Sequence, residues 1–507
     1  MNIKQAKNEI KNTVMAYLSK DAAGEYKIPA IRQRPVLLMG PPGIGKTQIM
    51  EQIARECKIG LVSYTITHHT RQSAVGLPFI REENFEGKTY SVTEYTMSEI
   101  IASVHRKIRD SGQKEGILFI DEINCVSETL APTMLQFLQG KTFGNQAVPQ
   151  GWIIVAAGNP PEYNKSVRDF DMVTLDRVRY MSVETDFSVW KEYARAQHIH
   201  GAILSYLELR PRNFYRVEAD VDGMKFVTAR GWEDLSNLME VYEEMGLPVD
   251  ETVVLEFLHH EEVAEDAAAY FDLYRKYQDD YGIEQILAGK VKSAVYARIY
   301  AAAFDERLSV VNLLLDGLRN LFIKVSEEKY LTDGWYAFLK EYRSALDTAE
   351  DALRCYDELL EKKEAEIEAA KRAGFYTRRE EAGQRALLGM LKSNRPKPEV
   401  VCEDGRDIVR TKEYFQAAKG GFDLQRTKLE QAETKASEAL EYAFDFMEQA
   451  FEHGEEMVVF VTELTLGAES AMFLSTHTSE RYLKYNEQLL IGTRKAELLS
   501  ELTRDNI

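Results

Sequence analysis

The hydrophobic pattern divides the chain into a first third with strand-length apolar runs and a remainder with helical spacing. Continuous apolar runs lie at 36–39, 116–120 and 152–157, and a further strand is predicted at 61–66. Short continuous apolar runs are typical of parallel strands that are buried on both faces. Helical spacing marks the first 20 residues and the stretch that follows the first strand. The pattern therefore predicts an α/β layer in which helices flank a parallel sheet.

Two apolar series beyond residue 330 have the spacing of a helix–helix seam. The series over 339–360 alternates spacings of three and four, and the series over 415–450 repeats every seven residues. Such spacing keeps one apolar stripe against a facing helix. The stretch 374–406 between them is rich in Arg, Lys and Pro. The pattern favours a long antiparallel helical hairpin over 332–455 with a basic tip, and packing inside a compact helical domain is the alternative.

The strongest chemical motif follows the first strand. Residues 40–47 are GPPGIGKT, which fits the phosphate-loop pattern G-x-x-x-x-G-K-[ST], and a helical pattern follows. Glycines let backbone N–H groups approach phosphate oxygens, and the helix N-terminus adds a favourable dipole. Lys46 can reach the outer phosphates, and the Thr47 hydroxyl can bind Mg²⁺. The predicted nucleotide-binding residues are Gly40, Pro41, Pro42, Gly43, Ile44, Gly45, Lys46, Thr47 and Gln48.

Polar residues end the next two predicted strands. Asp121 and Glu122 close the run at 116–120, and Asn159 follows the run at 152–157. Ligands of parallel α/β sheets bind beyond the carboxyl ends of the strands. Asp121 is therefore expected to hold Mg²⁺ with Thr47, Glu122 to polarise the attacking water, and Asn159 to orient that water. Taken alone, Asn159 would be better explained as a residue that stabilises the turn before two prolines.

The motifs, in this order, resemble an AAA+ ATPase. The segments GPPGIGKT, ILFIDEIN, IIVAAGNPPEYN and LDRVR are most similar to the MoxR-like branch, which is related to the dynein-type AAA subfamily. By this resemblance Asn159 matches the sensor-1 residue, and Arg177 matches the arginine finger that reaches a neighbouring subunit, with Arg179 as a rival. The segment 227–235 resembles the lid segment that carries the sensor-2 arginine, here Arg230.

The resemblance implies a fold, a reaction and an assembly. The implied catalytic residues are Glu122, Asn159, Arg177 and Arg230, and the cofactors are ATP and Mg²⁺. The implied assembly is a homo-oligomeric ring, with a hexamer expected, that hydrolyses ATP to remodel or mature a partner protein. Relatives often act with a protein bearing a von Willebrand factor A-type domain, so such a partner is expected. We expect the hairpin at 332–455 to dock that partner through its basic tip.

The pattern and the resemblance together give five expected parts. These are an AAA+ α/β nucleotide-binding domain at 1–185, a helical lid at 186–275, a helical connector at 276–331, the long hairpin at 332–455 and C-terminal helices at 456–507. A chain of 507 residues is too long for one hydrophobic core, so several domains are expected on length alone.

Composition narrows the function classes. The formal net charge is −19, which disfavours a general nucleic-acid binder because such proteins need a basic surface. The 4 cysteines have no paired spacing, which favours reduced thiols and a cytoplasmic protein. No apolar stretch has the length of a membrane-spanning helix. Two alternatives remain. One is a nucleic-acid-directed AAA+ motor, because other AAA+ rings thread DNA or RNA. The other is a GTP-driven or nucleotide-gated switch, because the phosphate loop binds phosphates and not bases.

Overall fold

The computed structural model describes residues 1–68, 71–144, 146–163, 167, 170–220, 223–347, 351–397, 407–452 and 454–489. The chain forms two compact units. The first consists of Met1–Val189, Thr228–Arg230 and Glu366–Arg378. The second consists of Trp190–Val227, Gly231–Ala365 and the chain from Arg379 onward.

The first unit is built on a parallel sheet. Its strands are β1 (Val36–Met39), β2 (Gly60–Thr65), β3 (Pro78–Phe85), β4 (Lys88–Tyr95), β5 (Gly116–Asp121), β6 (Thr142–Phe143), β7 (Gln146–Ala147), β8 (Trp152–Gly158) and β9 (Arg179–Ser182). Five strands form one sheet in the order β2-β5-β8-β1-β9, with every pairing parallel. The predicted parallel sheet with flanking helices is confirmed. Since β1, β5 and β8 are neighbours, the motifs that follow them meet at one edge.

Helices cover both faces of this sheet. They are α1 (Ile3–Leu18), α2 (Lys46–Cys57), α3 (Arg71–Val75), α4 (Glu99–Ser111), α5 (Ala131–Gly140) and α6 (Met172–Leu175). Successive strand residues point to opposite faces, so each face has its own apolar core. Leu118 and Ile154 pack with residues of α4 and α5 on one face. Phe119 and Val155 pack with residues of α1 and α2 on the other face.

The strands β3 and β4 form an antiparallel pair, which is joined by a turn between Phe85 and Lys88. The pair forms a sheet of its own, separate from the parallel sheet.

The second unit is mainly helical, as predicted for the region beyond the sheet. The helix α7 (Phe187–Ala196) begins just before the boundary between the units at Val189 and Trp190. A short hairpin of β10 (Arg216–Asp220) and β11 (Gly223–Val227) lies among the helices that follow. They are α8 (Gly201–Leu209), α9 (Ala229–Met245), α10 (Glu251–Leu258), α11 (Glu261–Tyr281), α12 (Ile283–Leu287), α13 (Ser293–Ala301), α14 (Phe304–Leu346), α15 (Ala352–Ala373), α16 (Arg378–Ser393), α17 (Asp407–Phe451), α18 (Glu455–Leu466) and α19 (Ala468–Thr476).

The stretch 332–455 differs from the predicted two-helix hairpin. A long antiparallel pair exists, but it consists of α14 and α17, in which Trp335 contacts Phe422 and Tyr342 contacts Phe415. The first apolar series is divided between α14 and α15, because α14 ends at Leu346 and a new helix begins at 352. The Asp351 carboxylate accepts hydrogen bonds from the backbone N–H groups of residues 353 and 354 at 2.9 and 3.2 Å, which caps the new helix.

The four helices of this stretch share a core, so the compact alternative describes them better than a projecting hairpin does. Residues of α14, α15, α16 and α17 meet in one apolar cluster, which includes Trp335, Tyr342, Tyr356, Leu360, Leu387, Leu391 and Ala418. Two cations of the predicted basic tip are paired within the chain. Lys392 lies 2.9 Å from Glu364, and Arg395 donates twice to Asp357 at 2.6 Å. Residues 398–406 of the tip lie outside the described residues.

In the part of the chain that the structure describes, no single helix has both the length and the apolar composition needed to cross a membrane. The helices α18 and α19 reach these values only when they are taken together, and they are bent by 83° at the break between them.

Candidate nucleotide site

The phosphate loop connects the buried strand β1 to α2. Gly43 and Gly45 have φ angles of 73° and 90°, in the left-handed region that favours glycine. A Cβ atom on Gly43 would also lie 2.9 Å from the Cβ atom of Thr228, so the chain leaves no room for a side chain there. The helix α2 begins at Lys46. The loop therefore has the backbone that the sequence motif predicts, with a helix N-terminus at its end.

Lys46 is the buried cation of this loop. Its side chain is 8% exposed, and the ammonium group donates to the carbonyl oxygens of Gly40 and Pro41 and to Oδ1 of Asn159, each at 2.8 Å. Burial lowers the pKa of Lys46 to about 8, although the nearby Asp121 carboxylate opposes this shift. The lysine is thus held by three oxygen atoms, and it remains mostly protonated at neutral pH.

Thr47 and Asp121 lie together beside the lysine. The Thr47 hydroxyl donates to Oδ2 of Asp121 at 3.2 Å. Hydroxyl and carboxylate oxygens are the hard ligands that Mg²⁺ prefers, and adjacent oxygens of an octahedral shell at about 2.1 Å from the metal lie about 3 Å apart. The two side chains therefore fit a shared magnesium site.

Glu122 occupies a strained turn at the end of β5. Its φ angle is 57°, which is uncommon for a residue other than glycine. The turn is fixed by hydrogen bonds, since the Glu122 N–H donates to Oδ1 of Asp121 at 2.9 Å and its carbonyl accepts from the N–H of Cys125 at 2.8 Å. Ile123 N–H donates to the carbonyl of Ala157 in β8 at 2.9 Å. These bonds fix the backbone at the two acidic residues.

Asn159 lies where β8 ends, as its position in the sequence indicates. Its side chain accepts from Lys46, and its backbone carbonyl accepts from Nδ2 of Asn124 at 2.8 Å. Asn124 is a residue that the sequence reasoning did not select. The available signal was a polar residue two positions after the acidic pair, in a turn whose neighbour Ile123 is buried.

The two candidate finger arginines have different surroundings. Arg177 is exposed, and its guanidinium donates to Oε1 of Gln139 in α5. Arg179 lies on the edge strand β9 and donates to Thr13 and Glu9 of α1, at 2.5 Å in each case. Arg179 is therefore used inside the subunit, whereas Arg177 lies at the surface.

The segment Thr228–Arg230 belongs to the same compact unit as the phosphate loop. Thr228 approaches Gly43, and the charge of Arg230 is close enough to lower the pKa of Lys46 further. Arg230 itself is exposed and lies in the first turn of α9. The structure thus places the predicted lid arginine near the phosphate loop.

A comparison with protein families agrees with this arrangement. Residues 36–174 match the model of the family described as "ATPase family associated with various cellular activities (AAA)". The matched range begins at β1 and ends within α6, so it includes Lys46, Asp121 and Asn159. No curated protein is similar enough to this chain to count as a match. The family match and the geometry together support an AAA+ ATPase, with its AAA domain at residues 36–174.

Proposed function

We propose that this chain is an ATP-hydrolysing motor of the MoxR-like kind, which works as a ring. The observation that supports this proposal most directly is that four predicted residues from three separate segments lie together. Lys46 contacts Asn159 at 2.8 Å, and Thr47 contacts Asp121 at 3.2 Å, although these residues are far apart in sequence. Phosphoryl transfer depends mainly on such positioning and on charge neutralisation.

These four residues and Glu122 each have a role in hydrolysis. Lys46 binds the outer phosphate oxygens of ATP, and Thr47 and Asp121 hold Mg²⁺. The metal, when bound, neutralises charge on the phosphates. Glu122 accepts a proton from the attacking water as a general base, and the Asn159 amide orients that water. The hydrogen-bonded turn fixes the backbone from which the Glu122 side chain extends.

The surface position of Arg177 supports a role in a neighbouring subunit. A finger arginine must be able to leave its own subunit's surface and reach a foreign phosphate. Arg177 is exposed, whereas Arg179 is held by two side chains of α1. Arg177 is therefore the finger in this proposal, and Arg230 acts from the lid.

The work of the ring is assigned by resemblance to the MoxR-like branch. The motor remodels or matures a partner protein, and the expected partner bears a von Willebrand factor A-type domain. The mainly helical second unit supplies surface for that partner. The net charge of −19 argues against nucleic acid as the substrate.

Mixing of two inactive variants tests the ring. Arg177→Ala should bind ATP normally and lose turnover by about 10³-fold or more, because a finger stabilises transition-state charge. Lys46→Ala should bind ATP much more weakly than the wild type. Mixed rings would contain sites with an intact loop and an intact finger, so phosphate release should recover in part. Arg109→Ala, which removes an exposed arginine of α4, is the matched control and should keep turnover.

The outcome of mixing separates two explanations. Recovery that depends on the mixing ratio supports a finger that acts in trans. An absence of recovery, while labelled subunits demonstrably share rings, would contradict the assignment of Arg177.

A further inference from the structure

Asn124 links two of the nucleotide motifs. It lies in the turn after β5, two residues beyond Glu122, and its side chain is 3% exposed. Its Nδ2 atom donates to the backbone carbonyl of Asn159 at 2.8 Å. It therefore joins the turn that carries the predicted general base to the residue that is expected to orient the water.

The orientation of the Asn124 amide is fixed by its surroundings. The atom that faces the Asn159 carbonyl must be a donor, so it is Nδ2 and not Oδ1. Oδ1 has no hydrogen-bond partner among the described residues, and it lies 2.4 Å from the position of a Cβ atom added to Gly158. The absence of a side chain at Gly158 thus gives Asn124 its place against β8.

The link to Asn159 continues to the phosphate loop. The carbonyl of Asn159 is held by Asn124, while its side chain accepts from Lys46 at 2.8 Å. The backbone bond from Ile123 to Ala157 adds a second connection between the same turn and β8. Removal of the Asn124 amide would leave the bond from Ile123 to Ala157 as the remaining one of these two connections. The Asn159 carbonyl would lose the donor that Asn124 provides.

We infer that Asn124 is a positioning residue for hydrolysis, which holds the Glu122 turn and Asn159 in one geometry. The inference rests on the proposed function, because it concerns the hydrolytic step at the same site. A bound water must lie within hydrogen-bond reach of both the base and the orienting amide. Asn124 sets the distance between these two groups without contact with the nucleotide. Its loss should lower kcat and leave nucleotide binding nearly unchanged.

Two variants of the full-length chain test the inference. Asn124→Ala deletes the amide, and Asn124→Asp keeps its size but puts a carboxylate oxygen against the Asn159 carbonyl. We expect kcat for ATP to fall at least about tenfold in both, which corresponds to about 1.4 kcal/mol of barrier. The dissociation constant for ADP should stay within about threefold of the wild type, because the phosphate loop is untouched.

A buried asparagine of the second unit provides the control. Asn312 is 8% exposed and donates to Ser205 at 2.9 Å, so Asn312→Ala also removes a buried amide donor. It should lower the melting temperature and leave kcat within about twofold of the wild type. A loss of kcat in the Asn124 variants at temperatures where all the variants are folded would therefore report positioning and not general destabilisation.

The outcomes separate this inference from the proposed function. If the wild type turns over much faster than Glu122→Gln, the proposed function holds. If the kcat of Asn124→Asp is then within twofold of the wild type, the inference alone is overturned. A parallel loss of kcat and ADP affinity would also overturn it, since Asn124 would then support binding. Wild-type turnover no faster than that of Glu122→Gln would overturn the proposed function, and the inference with it.

Discussion

Replacement of Lys46 by alanine is the perturbation with the clearest expected size. The ammonium group has three oxygen acceptors at 2.8 Å, and one of them is the Asn159 side chain. When phosphate binds, the ammonium can exchange protein oxygens for anionic oxygens. A hydrogen bond to a charged group contributes about 1.5–3 kcal/mol, which is more than a neutral one. Two new phosphate contacts, less the one protein contact of the same charged kind that is given up, leave about 1.5–3 kcal/mol.

This free energy corresponds to a loss of about 10–150-fold in ADP affinity for Lys46→Ala. Isothermal titration with MgADP at pH 7 measures it, since Lys46, with a pKa of about 8, is mostly protonated there. Lys58→Gly is the matched control. Lys58 is an exposed cation at the other end of α2 with a φ angle of 53°, so glycine suits its backbone. The control loses the same charge from the same helix and should keep its affinity. A dissociation constant for Lys46→Ala within threefold of the wild type, in a folded protein, would refute the assignment of the loop.

Three further predictions concern metal binding, acid stability and packing. Thr47→Ala should reduce the gain in nucleotide affinity that Mg²⁺ gives and leave metal-free ADP binding unchanged, as titrations with and without Mg²⁺ would show. Burial next to Arg319 and Arg379 lowers the pKa of His198 to about 4. His198 therefore takes up a proton near pH 6.5 in the unfolded chain but only near pH 4 in the folded chain. Folding stability that is present above pH 6.5 is lost as the pH falls to 4. In urea unfolding, His198→Asn should avoid up to about 3 kcal/mol of that loss. Trp335→Ala should cost about 3–5 kcal/mol in the same assay, because Trp335 is 2% exposed in the core of the four helices.

The sheet and the phosphate loop could be predicted because their signals are local. The apolar run at 36–39 is β1 without a change of bounds, and the predicted strand at 61–66 is β2 displaced by one residue. The spacing of the motif fixes Lys46 at the start of a helix. The meeting of Thr47 with Asp121 follows from strand neighbours in a parallel sheet, where the carboxyl ends share one edge.

The break in the first helical series could not be predicted from apolar spacing. The segment between α14 and α15 has no proline or glycine, and the apolar positions continue in register on either side of it. The signal was Asp351, which caps the new helix, but aspartate is also common on solvent-exposed helix faces. The fold of 332–455 therefore depends on the packing of α14 and α15 against α16 and α17, which periodicity does not encode.

The surroundings of the arginines and of Asn124 were also beyond the sequence. Arg177 and Arg179 are two positions apart and have the same chemistry. They differ because α1, more than 160 residues earlier, supplies Glu9 and Thr13 to one of them. Asn124 bonds to a residue 35 positions away. Such long-range partners can be identified only from the tertiary structure.

Phosphate release by the wild type and by Glu122→Gln, both saturated with MgATP, tests the central claim most directly. The amide of Gln keeps the shape of the side chain but cannot take up a proton as the carboxylate can. We expect steady turnover by the wild type and turnover lower by about 10²-fold or more in the variant, with an ATP affinity within threefold of the wild type. Equal rates in the two proteins, or a wild type that binds MgATP and releases no phosphate, would contradict it.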